Sequence, residues 1–182
     1  NVGIGTTTPS ALLEVAGGDA KINGVAIGKG GGNIPSNIVL GDSAMHNNTS
    51  GIKNTAIGLK SLFSSIDGGF NVAAGNGSLY NNIAGIDNTA IGNEALFSND
   101  SGAINTALGD WAMFYNSKGN FNTGLGGRAL YNNTTGVANS ATGLSSLFNT
   151  KTGNYNSAFG FNSGVTNISG SKNTLFGAFA DV

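Results

Sequence analysis

Side chains able to do acid–base or ligand chemistry are few in this sequence of 182 residues: one histidine, nine carboxylates and no cysteine. Hydrolysis by paired carboxylates needs two such groups within roughly 5 to 10 Å. Glu94 with Asp110 is the nearest candidate pair, and Asp42 shares Asp110's place in the repeat described below. His46 stands where neighbouring stretches carry Phe or Tyr, which reads as one ring replacing another rather than a base or a metal ligand. The Gly-rich stretch GKGGGN from Gly28 lacks the strand, the closing Lys-Ser/Thr and the helix of a phosphate loop, so it reads as a bend. Without cysteine there is neither a disulfide nor a thiolate metal site. The expectation is a chain with no catalytic residue, metal or cofactor.

A recognition surface is the better candidate. The segments HNNTSG, YNNIAG, FSNDSG and YNNTTG recur as polar loops, which puts Asn47, Asn48, Asn81, Asn82, Asn99, Asn132 and Asn133 forward as contacts to a glycan or receptor. Trp111 and Tyr115 could add a stacking platform for a sugar ring. Asn, Ser and Thr are also good turn formers, so the same loops have a purely local explanation. Asn47, Asn48, Asn132 and Asn133 lie in Asn-Xaa-Ser/Thr sequences, acceptors only in a host that glycosylates them.

The elements that would carry these loops follow from composition and spacing. Apolar residues make up 39% of the chain and charged residues only 9%, with a net charge of -1. That balance favours a packed domain over disorder and offers no basic patch for nucleic acid. No apolar run approaches the roughly 20 residues of a membrane helix, so no membrane insertion is expected. No signal peptide precedes Asn1 and the pattern starts midway, which suggests a piece of something longer.

Asparagine recurs every 17 residues, at Asn37, Asn54, Asn71, Asn88, Asn105, Asn122, Asn139, Asn156 and Asn173. Glycine follows each by four residues, from Gly41 to Gly177, and a second glycine column runs from Gly51 to Gly170. Residues 1–22 read as a lead-in and 23–182 as one array, its first unit a shorter 14-residue version over 23–36. Two bends per unit leave room for two short strands, Asn-Thr-Ala-Ile and the Ala-Leu-Phe segment, so the units should stack as rungs of a parallel β-solenoid. Ten to eleven rungs at about 4.8 Å give a rod of roughly 50 Å.

In this reading the asparagines form a hydrogen-bonded ladder. The position of Ile57 and Ile91, sharing a face with Thr55 and Thr89, is expected to face the core. In the second strand Leu62 and Phe63 are adjacent and point to opposite faces, so one of those apolar columns should lie outside and be covered by other copies.

The NGVAIGKG stretch at Asn23 and the NTAIG units resemble the head repeats of trimeric autotransporter adhesins. The longer unit NTAIGNEALFSNDSG resembles repeats of phage tail-fibre and related surface-fibre proteins, and NVGIGTTTPSALLEVAGG is similar to a segment that stands ahead of further modules in such fibres. The adhesin heads use mostly 14-residue units, so three extra residues imply a larger loop per rung. The resemblance implies a left-handed β-roll, three chains side by side as a homotrimer, and an extracellular place on a cell surface, a virion or an injection particle. The function expected is non-enzymatic: a structural and adhesive module that attaches to a cell-surface polysaccharide or protein receptor. Two alternatives stand beside it. One is an ice-binding solenoid using Thr55, Thr89, Thr106 and Thr123, which the expected parity places with the core column. The other is a polysaccharide-cleaving tailspike, for which the carboxylates are poorly arranged.

Overall fold

The computed structural model describes residues 2–182 apart from 9, 12, 16, 17 and 24, and for Leu13–Val15 the backbone alone. Glu14 is therefore without a described side chain, and part of the 1–22 lead-in and Gly24 of the shorter unit lie outside the described residues. Strands β1 (Val2–Ile4) and β2 (Leu13–Val15) form a small parallel sheet of their own. Then come β3 (Ala20–Ile22), β4 (Val25–Gly28) and β5 (Ile38–Leu40), followed by β6 (Thr55–Ile57), β7 (Val72–Ala74), β8 (Thr89–Ile91) and β9 (Thr106–Leu108). The series closes with β10 (Thr123–Leu125), β11 (Ser140–Thr142), β12 (Ser157–Phe159) and β13 (Thr174–Phe176). From β5 to β13 the strands are parallel and each residue pairs with the one 17 positions on, as Thr55 with Val72. The fold is a parallel β-solenoid whose only helix among the described residues is a 3-10 turn at Gly31–Asn33. Its parallel part is shorter than ten rungs: nine strands, about 40 Å at the usual interstrand spacing.

The difference lies at the start. The unit at residues 23–36 does not enter as a parallel rung, because β4 runs antiparallel to both β3 and β5. Its sequence explains this: Asn23-Gly24 is the preferred two-residue hairpin pair, and Asn23 takes a φ of 50°. The Asp19 carboxylate holds the turn after β4 by accepting the N–H groups of Lys29 at 2.7 Å and Gly30 at 3.1 Å. Gly31 then donates to the Met45 carbonyl, so this segment covers the first rung.

Inside the coil the expected face is reversed. The column pointing inward is the middle residue of each strand, Val39, Ala56, Ala73, Ala90, Ala107, Ala141 and Ala158, while Ile57, Ile91 and Leu108 face out. Space decides it. The fully buried Met45, Leu62, Leu79, Leu96, Met113, Leu130 and Leu147 already fill the coil from the opposite wall, leaving room only for a small partner. At Gly124 a Cβ would come within 3.0 Å of Met113 Cγ, and there even alanine is absent.

The opposite wall is not a second strand. The Ser-Leu-Phe segment is a turn in which Lys60 and Leu62 have φ of 53° and 50°, a pattern repeated at Glu94 and Leu96 and at Arg128 and Leu130. Left-handed residues break the alternation of a strand, yet the wall is still laddered. Leu62 N–H donates to the Ser78 carbonyl at 3.0 Å, Leu79 to Ala95 at 2.9 Å and Leu96 to Ala112 at 3.0 Å. One apolar column of the pair does lie outside, as expected: leucine is buried and the aromatic ring is half-buried.

Candidate functional site

Two asparagine columns set the corner from which the polar loops spring. In the first, Asn88 Nδ2 donates to the Gly102 carbonyl at 2.8 Å, and its Oδ1 accepts the Asn105 backbone N–H at 3.0 Å and the Asn105 amide at 3.1 Å. Asn105, Asn122, Asn139 and Asn156 repeat the arrangement, so the expected ladder is present and buried. The second column corrects the expectation that Asn48, Asn82, Asn99 and Asn133 are exposed loop contacts. Asn48, Asn82, Asn99 and Asn133, with Asn116, are buried. Asn99 Nδ2 donates to Asn82 Oδ1 at 2.6 Å and to the Gly102 carbonyl at 2.9 Å. Each of these glycine carbonyls is thus clamped from both sides by amides that must be hydrogen-bonded because water does not reach them. Asn48, Asn82, Asn99 and Asn133 have no surface with which to touch a glycan.

The remaining candidates do lie on the surface of the turn wall. His46, Phe63, Tyr80, Phe97, Phe114, Tyr131 and Phe148 stack ring upon ring, with centroids 4.9–5.5 Å apart. His46 lies 13° from parallel to Phe63, so it is the first ring of this stack, as its position suggests. Beside the rings runs the column of Asn47, Asn81, Tyr115 and Asn132, exposed or half-buried. The same column holds Ser98 and Asn149, which share the repeat position of Asn81 and Asn132 and were not singled out from sequence. Asn47 Oδ1 sits 3.0 Å from His46 Nδ1, and Asn132 Nδ2 donates to Asn149 Oδ1 at 3.2 Å.

Tyr115 is placed differently from any other ring. It stands 78° and 85° from the planes of Phe114 and Tyr131, at 4.7 Å and 5.2 Å. A ring perpendicular to two stacked neighbours and this close to both rests one face against their edges. With 45% of the residue exposed, the other face is open. Burial first, then the hydrogen bond with Tyr115, holds the Tyr131 phenol above its usual range. Trp111 is more fully engaged: its Nε1 donates to Glu94 Oε2 at 2.9 Å and the Arg128 guanidinium lies 4.8 Å over its ring. It braces Arg128 rather than offering a free face beside Tyr115.

The two carboxylates singled out as a candidate pair are each bonded to a different partner. Glu94 is committed to the indole, and Asp110 accepts the Asn93 backbone N–H at 3.1 Å. Among the described residues no group of three or more His, Asp or Glu could hold a metal ion, and no helix is long and apolar enough to cross a membrane. No family model, curated protein or solved structure matches the chain.

Proposed function

We propose that this chain is a non-enzymatic structural and adhesive module of an extracellular fibre on a cell surface, virion or injection particle, working as a side-by-side homotrimer. The observation that carries the reading is the outer face of the β5–β13 sheet. Its two outward columns, Ile38 to Thr174 and Leu40 to Phe176, contain no charged residue. Leu40, Ile57, Ile91 and Leu108 stand 41–45% exposed along it. The Leu40–Phe176 column is apolar except at Thr142, and an apolar stripe of this length exceeds what a soluble monomer usually leaves to water; packing against copies of itself along the rod removes it. The turn wall, across the core, stays free to meet a polysaccharide or protein receptor.

Sedimentation equilibrium tests this. The chain is expected to be trimeric at micromolar concentration, and Ile91→Lys with Leu108→Lys to give monomers with an unchanged circular dichroism spectrum. A wild-type chain that is soluble and monomeric would remove the reading.

One observation favours a second reading, ice binding. Thr55, Thr89, Thr106 and Thr123 lie on the outer side of the sheet, half-buried, contrary to the parity expected from sequence, in rows beside Ile57, Ile91, Leu108 and Leu125. Thermal hysteresis in dilute solution decides between them, because a face buried in a trimer cannot also meet ice.

A further inference from the structure

We propose that the half-exposed polar column of the turn wall binds a single strand of neutral polysaccharide lying along the solenoid axis, with Tyr115 as the platform for one sugar ring. The proposal rests on the adhesive-module reading and gives it a ligand class and an orientation.

Asn81, Ser98, Tyr115, Asn132 and Asn149 occupy one position of five successive rungs, and every one carries a hydrogen-bonding side chain without charge. Their situation differs from the interior columns, where all the buried amide atoms but the Oδ1 atoms of Asn48 and Asn133 are bonded to neighbours. The side chains of Asn81 and Ser98 have no hydrogen-bond partner among the described residues; Asn149 Nδ2 donates to the Val165 carbonyl at 2.8 Å, and beyond that bond and the one between them Asn132 keeps its acceptor oxygen and both keep a donor N–H. Rungs repeat at about 4.8 Å, comparable to the width of a pyranose ring, so consecutive sugars of an axial strand meet consecutive rungs.

Tyr115 supplies what hydrogen bonds to hydroxyls cannot. A sugar offers one face of C–H groups, and a rigid, half-exposed ring with its back already packed accepts that face with no ordering left to do. The edges of Phe114 and Tyr131 behind it fix its plane.

Charge sets the class. The ionisable groups near the column in sequence are Glu94, Asp110 and Arg128 on one side and Asp100, Lys118 and Lys151 on the other, of mixed sign, and Arg128 is drawn over Trp111. No cationic patch rewards a uronate or sialate carboxylate, so the fit is to an uncharged chain. The column is also separate from the sheet face, so an oligomer built on that face leaves it open.

The test is electrophoresis of the intact chain through native gels containing laminarin, mannan, dextran or galactan, with polygalacturonate as the acidic polymer. At least one neutral polymer is expected to retard the chain, with little change on adding salt. Tyr115→Ala should weaken retardation about tenfold, the loss of one aromatic contact, while Tyr115→Phe keeps it. Asn81→Ala with Ser98→Ala, which removes no ring, should weaken it as well, and unchanged melting temperatures show that these variants are folded. Retardation by no neutral polymer, by polygalacturonate alone with loss in salt, or equally in Tyr115→Ala would overturn the proposal. Sedimentation of the same samples keeps the two readings apart: a trimer that binds no glycan removes only this inference.

Discussion

Asn48 and Asn133 each bury a side-chain carbonyl oxygen that meets no donor. The cause is one rung along, where the column changes from asparagine to Ser65 and Thr150, side chains too short to return an amide N–H. Replacing Ser65, whose own buried hydroxyl has no partner, by asparagine should complete the ladder and raise stability by about 1 kcal/mol or more, since an unsatisfied buried acceptor costs about 1–3 kcal/mol. Thr150→Asn should gain less, because it gives up the bond from Thr150 Oγ1 to the Asn167 carbonyl at 3.0 Å, and urea denaturation measures both. The same chemistry predicts three alanine substitutions. Asn88→Ala and Asn82→Ala should each cost on the order of 1–3 kcal/mol, because both leave buried partners unpaired. Asn81→Ala, one residue away on the surface, should change stability by less than about 0.5 kcal/mol. Equal melting of Asn81→Ala and Asn82→Ala would show that the second column is not a ladder. Sequence could display the first column because its spacing never varies. It could not display the second, which is interrupted by Ser65 and Thr150 and sits among residues that also favour turns.

Two glycine columns shape the rung for unlike reasons. Gly92 has φ 135°, and a Cβ there would stand 2.5 Å from the Gly109 carbonyl oxygen, so neither the conformation nor the space admits a side chain. Gly85 is not in that region of φ; a Cβ would instead run into Asn82 and, at 2.6 Å, the Gly102 carbonyl oxygen. The turn wall shows the contrast, since Lys60 and Leu62 accept left-handed φ at a cost of roughly 1–2 kcal/mol each, offset by inter-rung bonds and leucine burial. Gly92→Ala is therefore expected to destabilise by about 3 kcal/mol or more. Lys60→Gly should stay within about 0.5 kcal/mol of wild type, relief of strain offsetting lost chain stiffness. Denaturation curves of the two variants check both. These turns explain where reading by strand period fails. The bends and the 17-residue unit were legible, but a period of two assumes extended backbone, and Ser-Leu-Phe is not extended. Gly77 and Gly164, standing in the Lys60 and Leu62 columns with φ of 62° and 70°, were the available hint. The inward alanine column had its own sign: from Ala56 to Ala158 it never exceeds alanine in size, whereas Ile57's column ranges from Ala74 to Phe159.

At the scale of the whole molecule, every parallel rung is bonded to rungs whose backbone repeats its own, while one end is closed by the antiparallel β4. Stability in such an array is a sum over units and their interfaces. Removal of residues 86–102 joins Gly85 to Ala103 in register, and the shortened chain should keep its circular dichroism per residue and fold cooperatively. Removal of 86–101, one residue fewer, should not, because every later glycine would then face an occupied position. The capped end fixes where counting starts, and the pairing of each residue with its seventeenth successor fixes the only step by which the count can change. Near-identical units such as GIKNTAIG and GIDNTAIG are sites at which a coding sequence can misalign with itself and exchange. An exchange between them adds or drops whole rungs without disturbing a fold, so the length of the rod can vary within a lineage while its cross-section stays fixed.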